Sequence, residues 1–397
     1  MRPILTRCRV TTARWTVWHV SIPLRRKVRH ASHTREHTDS LVAQCVLPSG
    51  EVGWGEGLPR DYVTGETVDG ALALIQASSF SQTLSANNWF EAIEAAEALR
   101  LNPVAGDQRG IAGNAARCAL EIAWLDACGR KFGQPLSSIV QRLEPSLAQP
   151  IQTVRYSGVI TSSKGWKLAL LARLYRYTGF RHVKIKVGIE GQNDPARLKL
   201  LRRIMGPNRQ IRIDANEAWT LEKAVSCLAG LKHFGIAWVE QPMPVESDAD
   251  LEALRTRSGV RVMLDESLCG PLDAEQLVSG KRVDLFNLRL SKCGGFIPTL
   301  RLLARARNAG LGAQLGCQVG ETGILSAAGR HFAQSVSGLE AVEGSFDRYL
   351  VGERLTREDL TFGWGGKAPP LVGPGLGIAV DEAALQRVAV RKVVMGA

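Results

Sequence analysis

From about residue 150 the chain alternates short apolar runs with longer stretches whose apolar residues recur at spacings of three and four, the pattern of parallel strand–helix units. Candidate strand ends fall near Gly158, Lys186, Asp214, Glu240, Asp265, Leu290, Leu315 and Val342, with successive gaps of 28, 28, 26, 25, 25, 25 and 27 residues. Eight units at a nearly constant period predict a closed (β/α) barrel rather than an open doubly wound sheet. The last crossover helices read as short or irregular.

Upstream the pattern differs. Cys8 to Ser21 and Ser40 to Leu47 are rich in apolar and β-branched residues, and Pro48-Ser49-Gly50 reads as a hairpin turn before Glu51-Val52-Gly53-Trp54. Helical periodicity follows in Asn88 to Arg100 and Ala112 to Arg130. Strands followed by helices make an α+β domain. At 397 residues the chain exceeds what one core usually fills. The expected organisation is an α+β capping domain over 1–140 and a (β/α) barrel over 141–348. A Gly- and Pro-rich C-terminal segment over 349–397 is expected to return to the capping domain.

Charge changes the picture little. The formal net charge is +12, yet the basic residues are scattered except for Arg25, Arg26, Lys27, Arg29 and His30, followed by His33, Arg35 and His37. No helix-turn-helix, zinc-finger or aromatic RNA-binding signature accompanies that cluster, so an anionic small substrate is expected and nucleic acid is not. No apolar run reaches the length of a membrane span, and no signal-peptide core follows Arg2, Arg7, Arg9 and Arg14. The eight cysteines stand singly, without a CxxC pair or a His at zinc spacing, and read as reduced thiols of a cytoplasmic enzyme. Trp15, Trp18, Trp54, Trp124 and Trp238 fall on apolar faces and read as core; His182, His233 and His331 read as structural.

The active site of such a barrel lies at the carboxyl ends of its strands. Lys184 and Lys186 in Val183-Lys184-Ile185-Lys186-Val187 are two apart, hence on one side of a strand and pointing into the mouth. Ile211-Arg212-Ile213-Asp214, Trp238-Val239-Glu240 and Val262-Met263-Leu264-Asp265 each end an apolar run on a carboxylate. Singly, each carboxylate reads equally well as a cap for the next helix. Three on consecutive strands repel one another unless a cation sits between them, and oxygen donors of this kind suit magnesium (Mg2+), with manganese (Mn2+) as a substitute. Lys292, before Cys293-Gly294-Gly295, becomes a second acid/base opposite the first pair. A substrate carboxylate on such a cation has an acidified neighbouring proton, and lysines on both faces allow removal on one side and delivery on the other. Asn216 and Glu266 stand beside ligands and orient them or a lysine. Glu321 and Glu343 touch substrate or serve as hydrogen-bonding groups at the barrel end.

Lys184-Ile185-Lys186, Asp214-Ala215-Asn216-Glu217-Ala218-Trp219, Glu240-Gln241-Pro242, Leu264-Asp265-Glu266-Ser267, Lys292-Cys293-Gly294-Gly295 and Gly53-Trp54-Gly55-Glu56, in this order, resemble the enolase superfamily and its muconate-lactonizing-enzyme subgroup. The resemblance covers nearly the whole chain. It implies magnesium on Asp214, Glu240 and Asp265, Lys186 and Lys292 as opposed acid/bases with Lys184 supporting the enolate, and a homo-oligomer. It also implies that Arg25 to His37 and Leu58 to Thr67 close over the distal end of the substrate. Thr64-Gly65-Glu66-Thr67 and Cys317-Gln318-Val319-Gly320-Glu321-Thr322 look most like dipeptide epimerases. Those enzymes usually carry Asp-x-Asp on the eighth strand, where this chain has Ala341-Val342-Glu343-Gly344. The expected activity is epimerisation or racemisation of a dipeptide or an N-modified amino acid. The alternatives are a muconate-type cycloisomerase, a syn-eliminating lyase of the o-succinylbenzoate synthase type, and a barrel that binds a ligand without catalysis.

Overall fold

Two sheets organise the chain in the computed structural model, which describes residues 13–29 and 34–395. Cys8, His30 and His33, and the arginines at 2, 7 and 9, lie outside the described residues. The first sheet is antiparallel: β1 (Arg14–Arg29), β2 (Thr34–Val46) and β3 (Val52–Gly57), with the last strand of the chain, β14 (Ala389–Met395), on its outer edge. That strand pairs with β1 in the register Trp15↔Met395. The hairpin predicted at Pro48-Ser49-Gly50 forms, with the Leu47 N–H donating to Glu51 O at 2.9 Å and Gly50 at φ 100°.

Five helices follow: α1 (Asp61–Thr64), α2 (Val68–Ala77), α3 (Trp89–Ala98), α4 (Asn114–Phe132) and α5 (Ser138–Leu143). Asn88 starts α3 by accepting the Glu91 N–H at 3.0 Å, as a cap residue does. The long helix α4 is buried along most of its length because β3 lies directly against it. Alternate residues of a strand share a face, and those of β3 facing α4 are glycines. A Cβ on Gly53, Gly55 or Gly57 would stand about 2 Å from the backbone of Ala127, Ala119 or Ala115 (2.1, 2.0 and 1.9 Å). The opposite face carries Trp54, stacked on Trp18 at 5.7 Å, and Glu56.

The short β4 (Val154–Arg155) leads into eight parallel strands: β5 (Gly158–Ile160), β6 (His182–Lys186), β7 (Gln210–Asp214), β8 (Ile236–Glu240), β9 (Val262–Leu264), β10 (Leu285–Leu288), β11 (Gly312–Leu315) and β12 (Leu339–Val342). Each strand bonds to its sequence neighbour. Tyr156↔Val342 bridges the two ends, with the Ser157 N–H on Val342 O at 2.8 Å, so the sheet curls into a ring. Between the strands run α6 (Gly165–Thr178), α7 (Asp194–Met205), α8 (Leu221–Leu231), α9 (Leu251–Ser258), α10 (Pro271–Ser279), α11 (Phe296–Asn308) and α12 (Gly323–Ser335). The expected architecture forms, a parallel barrel with an N-terminal antiparallel capping sheet. The chain ends through α13 (Asp347–Leu350), β13 (Lys367–Ala368, paired with β4) and α14 (Glu382–Val388) before β14.

Three expectations are corrected. Gly158 opens β5 rather than ending it, because pairing with β6 continues to Ile160↔Ile185. β10 stops at Leu288, since the chain then tightens into a turn in which the Gly295 N–H reaches Leu290 O at 2.8 Å. The crossover helix α12 is a regular helix of 13 residues, started by Thr322 accepting the Ile324 N–H at 3.3 Å; its Gly, Ser and His content hid it from periodicity. The five core tryptophans are buried, and seven described cysteines are free thiols. Among the described residues no helix is long and apolar enough to cross a membrane.

Candidate active site

Strand order fixes the geography of the barrel mouth. Counting from β5, Lys184 and Lys186 lie on the second strand, and Asp214 and Glu240 end the third and fourth, paired in register. Asp265 follows the fifth strand and Lys292 the turn after the sixth. In a ring of eight the second and sixth strands face each other, so the two lysine-bearing elements stand on opposite sides with the three carboxylates between them.

All three carboxylates are buried, and side chains of the protein itself neutralise them. Lys184 Nζ lies 3.3 Å from Asp214 Oδ2, 3.3 Å from Glu240 Oε2 and 2.9 Å from Glu343 Oε2. Arg289 pairs with Asp265 and stands 3.9 Å from Glu240. Asn287 donates to Glu240 Oε1 at 2.7 Å. Burial pushes the Glu240 carboxyl well up, against the pull of Lys184. Burial also acts to raise Asp265, but Arg289 and Lys292 outweigh it and hold the carboxyl below its usual range. Among the described residues no three His, Cys, Asp or Glu side chains already converge on one point as metal ligands, because Lys184 and Arg289 lie between the carboxylates. The donor chemistry nevertheless fits a hard divalent cation: three buried carboxyl groups on adjacent strands, whose clustering a cation would relieve.

A cavity of about 210 Å³ opens above this cluster. Lys184, Lys186, Asp214, Asn216, Glu266, Glu321 and Glu343 all line it. Burial pushes the Lys186 ammonium below the usual lysine range; Asp214 opposes that effect and Lys184 reinforces it. Asn216 donates its backbone N–H to Asp214 Oδ1 at 3.1 Å and adopts φ 43°, while Gln241, next to Glu240, adopts φ 35°. Left-handed backbone in residues other than glycine is costly and clusters at functional sites. The Gln241 amide oxygen accepts the N–H groups of Asp265 (2.9 Å) and Ser267 (3.2 Å), which ties the fourth strand end to the fifth. Among the described residues Glu266 Oε2 has no hydrogen-bond partner.

Lys292 occupies a different position from Lys186. Its Nζ is fully buried and donates to Asp265 O (2.7 Å), Asp265 Oδ1 (2.9 Å) and Asn287 O (2.8 Å), while Arg289 from the same turn lines the cavity. Two arginines escaped sequence reasoning. Arg212 shares the inward face of β7 with Asp214, two residues away, so period 2 alone could have marked it. Arg289 follows Asn287 at the same spacing of two in the apolar run Leu285 to Leu290, but the strand ends at Leu288, so that period does not fix where its side chain goes. From the capping sheet and α1, Arg26, Lys27, Val28 and Tyr62 reach the rim.

Residues 167–384, more than half of the chain, match the family described as Enolase C-terminal domain-like. The chain is a member of the enolase superfamily. Among enolase-superfamily relatives, the hydrophobic dipeptide epimerase of Enterococcus faecalis is 29% identical over 352 residues, 89% of this chain and 90% of that one. A crystal structure of the dipeptide epimerase from that organism, complexed with Mg and the dipeptide L-Leu-L-Tyr, superposes with a TM-score of 0.76 at 27% identity, covering 93% of this chain and 99% of the other. The N-succinyl-L-Arg/Lys racemase of Bacillus cereus is 26% identical over 94% of this chain and 96% of its own. Muconate cycloisomerase 1 of Acinetobacter baylyi is 26% identical over 93% and 96%. The chain is accordingly an isomerase of this superfamily.

Proposed function

We propose that this isomerase removes the proton on the carbon next to a substrate carboxylate and returns it to the opposite face, inverting an N-acylated amino acid or the C-terminal residue of a dipeptide. One observation carries the reading: Lys186 and Lys292 belong to the second and sixth strand positions of an eight-strand ring, with Asp214, Glu240 and Asp265 on the strands between. Asp214, Glu240 and Asp265 would hold magnesium. When bound, that cation supplies positive charge to a substrate carboxylate and makes the neighbouring proton acidic. Lys186, at the cavity wall and with its charged form disfavoured by burial, takes the proton. Lys184 keeps its charge, because Glu240, Glu343 and Asp214 outweigh burial, and it stabilises negative charge growing on the substrate. Lys292 serves the other face once its hold on Asp265 loosens.

The names of the relatives support this substrate class. The test is deuterium incorporation at the α-carbon in heavy water, across dipeptides and N-acylated amino acids with magnesium present. If none of them exchanges, the reading fails. A second reading, cycloisomerisation or syn elimination, is favoured by the three hydrogen bonds that hold Lys292 away from the cavity, since one mobile base suffices for either. Product analysis by NMR with muconate or a succinylbenzoate precursor separates it.

A further inference from the structure

Helix α6 turns Leu168, Ala169 and Ala172 inward, where they are buried, yet its outer face is apolar as well. Trp166, Leu170, Leu174 and Tyr177 follow one another at spacings of four, four and three, hence on one face, and each is 52 to 77% exposed. Trp364, from the C-terminal segment, extends the stripe through a T-shaped contact with Tyr177 at 5.4 Å between ring centres. Of the nine tryptophans seven are buried, and the two exposed ones, Trp166 and Trp364, both lie here. Apolar surface gathered in one exposed place marks a contact.

The charge around the stripe says with what. No Asp or Glu occurs between Glu144 and Glu190, whereas Lys164, Lys167, Arg173, Arg176 and Arg181 do, and all five are exposed. Among the described residues no carboxylate pairs with any of the five. Lys199 and Arg203 continue the basic surface on the adjoining helix α7. From Pro145 to Ile213 fourteen lysines and arginines stand against two carboxylates, an excess that equals the formal net charge of +12 of the whole chain. On the helix, Lys167 and Arg176 flank the stripe on its two sides, and Arg173 stands within it, one turn from Leu170 and from Tyr177.

That arrangement separates two occupants. A second copy laid on the same face about a two-fold axis would bring Arg173, near the middle of the stripe, against its own counterpart. A layer of anionic lipid takes the same face without that conflict: leucines enter the acyl boundary, tryptophan and tyrosine rings sit at headgroup level, and lysines and arginines reach the phosphates. We propose that the outer face of α6, together with Trp364, is a docking surface for anionic phospholipid. The contact is peripheral and lies on the outside of the barrel, and it does not depend on which reaction the barrel mouth performs.

Flotation of the full chain with vesicles tests it, comparing phosphatidylglycerol and phosphatidylcholine in equal parts with phosphatidylcholine alone. Partitioning onto the mixed vesicles is expected to exceed that onto the neutral ones at least tenfold and to fall as salt is raised. Leu170→Ser with Leu174→Ser keeps every charge and is expected to lower partitioning at least tenfold, and Lys167→Gln with Arg173→Gln is expected to do the same. All four side chains are exposed, so the variants should fold, which thermal unfolding checks. Lys281→Gln with Arg305→Gln removes two exposed cations across the ring, after the fifth and sixth strands, and should leave partitioning unchanged. No preference for the anionic vesicles, or an equal loss in that control, overturns the proposal, the second because it reduces binding to attraction by net charge. Light scattering examines the other occupant: a wild-type oligomer that Leu170→Ser with Leu174→Ser splits into protomers makes this face a contact between copies and overturns the proposal too.

Discussion

The Glu56 carboxylate on β3 accepts the N–H of Thr322 at 3.1 Å and its hydroxyl at 2.8 Å, so a side chain from the capping sheet closes the N-terminus of barrel helix α12. The Leu325 N–H adds a third bond at 3.1 Å. Free N–H groups and the helix dipole favour a carboxylate there, but burial outweighs them and pushes the Glu56 carboxyl up to about 7. Glu121 on α4 does the same for α11, accepting the Ile297 N–H at 3.3 Å, and is also raised to about 7 by burial.

A carboxyl raised on folding stabilises the fold while it is protonated, and that contribution is lost as pH rises from the ordinary value near 4.5 through about 7. Glu56→Gln removes the titration and keeps the shape. The variant should therefore gain on the wild type between pH 5 and pH 8, by up to about 3 kcal/mol at 1.36 kcal/mol per pKa unit. Urea unfolding of both proteins across that range checks it; parallel stability curves would show that Glu56 does not titrate in this way.

Gly55 sets a steric prediction. Its missing Cβ lets β3 touch α4, and a methyl group would stand 2.0 Å from Ala119 O. Backbone is on both sides, so Gly55→Ala must push the strand off the helix, at a cost of about 3 kcal/mol or more. Gly230→Ala in α8 is the control, because among the described residues nothing lies within 4 Å of its Cβ position, and it should stabilise by about 0.5–1 kcal/mol. Thermal unfolding of the two variants should move in opposite directions.

The order of the barrel was legible because each strand is a short apolar run closed by a distinctive residue, and β6, β7, β8, β11 and β12 end where the periodicity puts them, at Lys186, Asp214, Glu240, Leu315 and Val342. The break after Leu288 was not, because Leu290 continues the apolar pattern into a turn whose hydrogen bonds periodicity does not carry. The pairings of Arg212 with Glu343, 131 residues apart, and of Arg289 with Asp265 depend on ring closure and on side-chain reach. A strand pattern places each residue on a face; it does not say which opposite charge will meet it.

Lys184 stands where a cation would compete with it for Asp214 and Glu240. Lys184→Met leaves those carboxylates and Glu343 without their shared cation, a loss of about 3–5 kcal/mol for a broken buried pair. Magnesium should restore part of that loss, so the rise in melting temperature on adding it should be larger for the variant than for the wild type. An equal rise in both, or none, would separate Lys184 from the metal site.

Lys186 and Lys292 can be told apart by which enantiomer each serves. Lys186→Ala should lower α-proton exchange by about 10²-fold or more for the isomer whose proton faces the second strand. Loss of Lys292 also frees Asp265 from two hydrogen bonds, so a fall in total rate would not identify its role. The ratio of exchange between the two isomers does, because a disturbed Asp265 affects both alike. If Lys292 is the opposite base, Lys292→Ala abolishes exchange from one isomer and epimerisation with it, while the other isomer still exchanges through Lys186. If one base does all the chemistry, Lys292→Ala leaves the ratio unchanged, and the hydrogen bonds of Lys292 to Asp265 and Asn287 are its function.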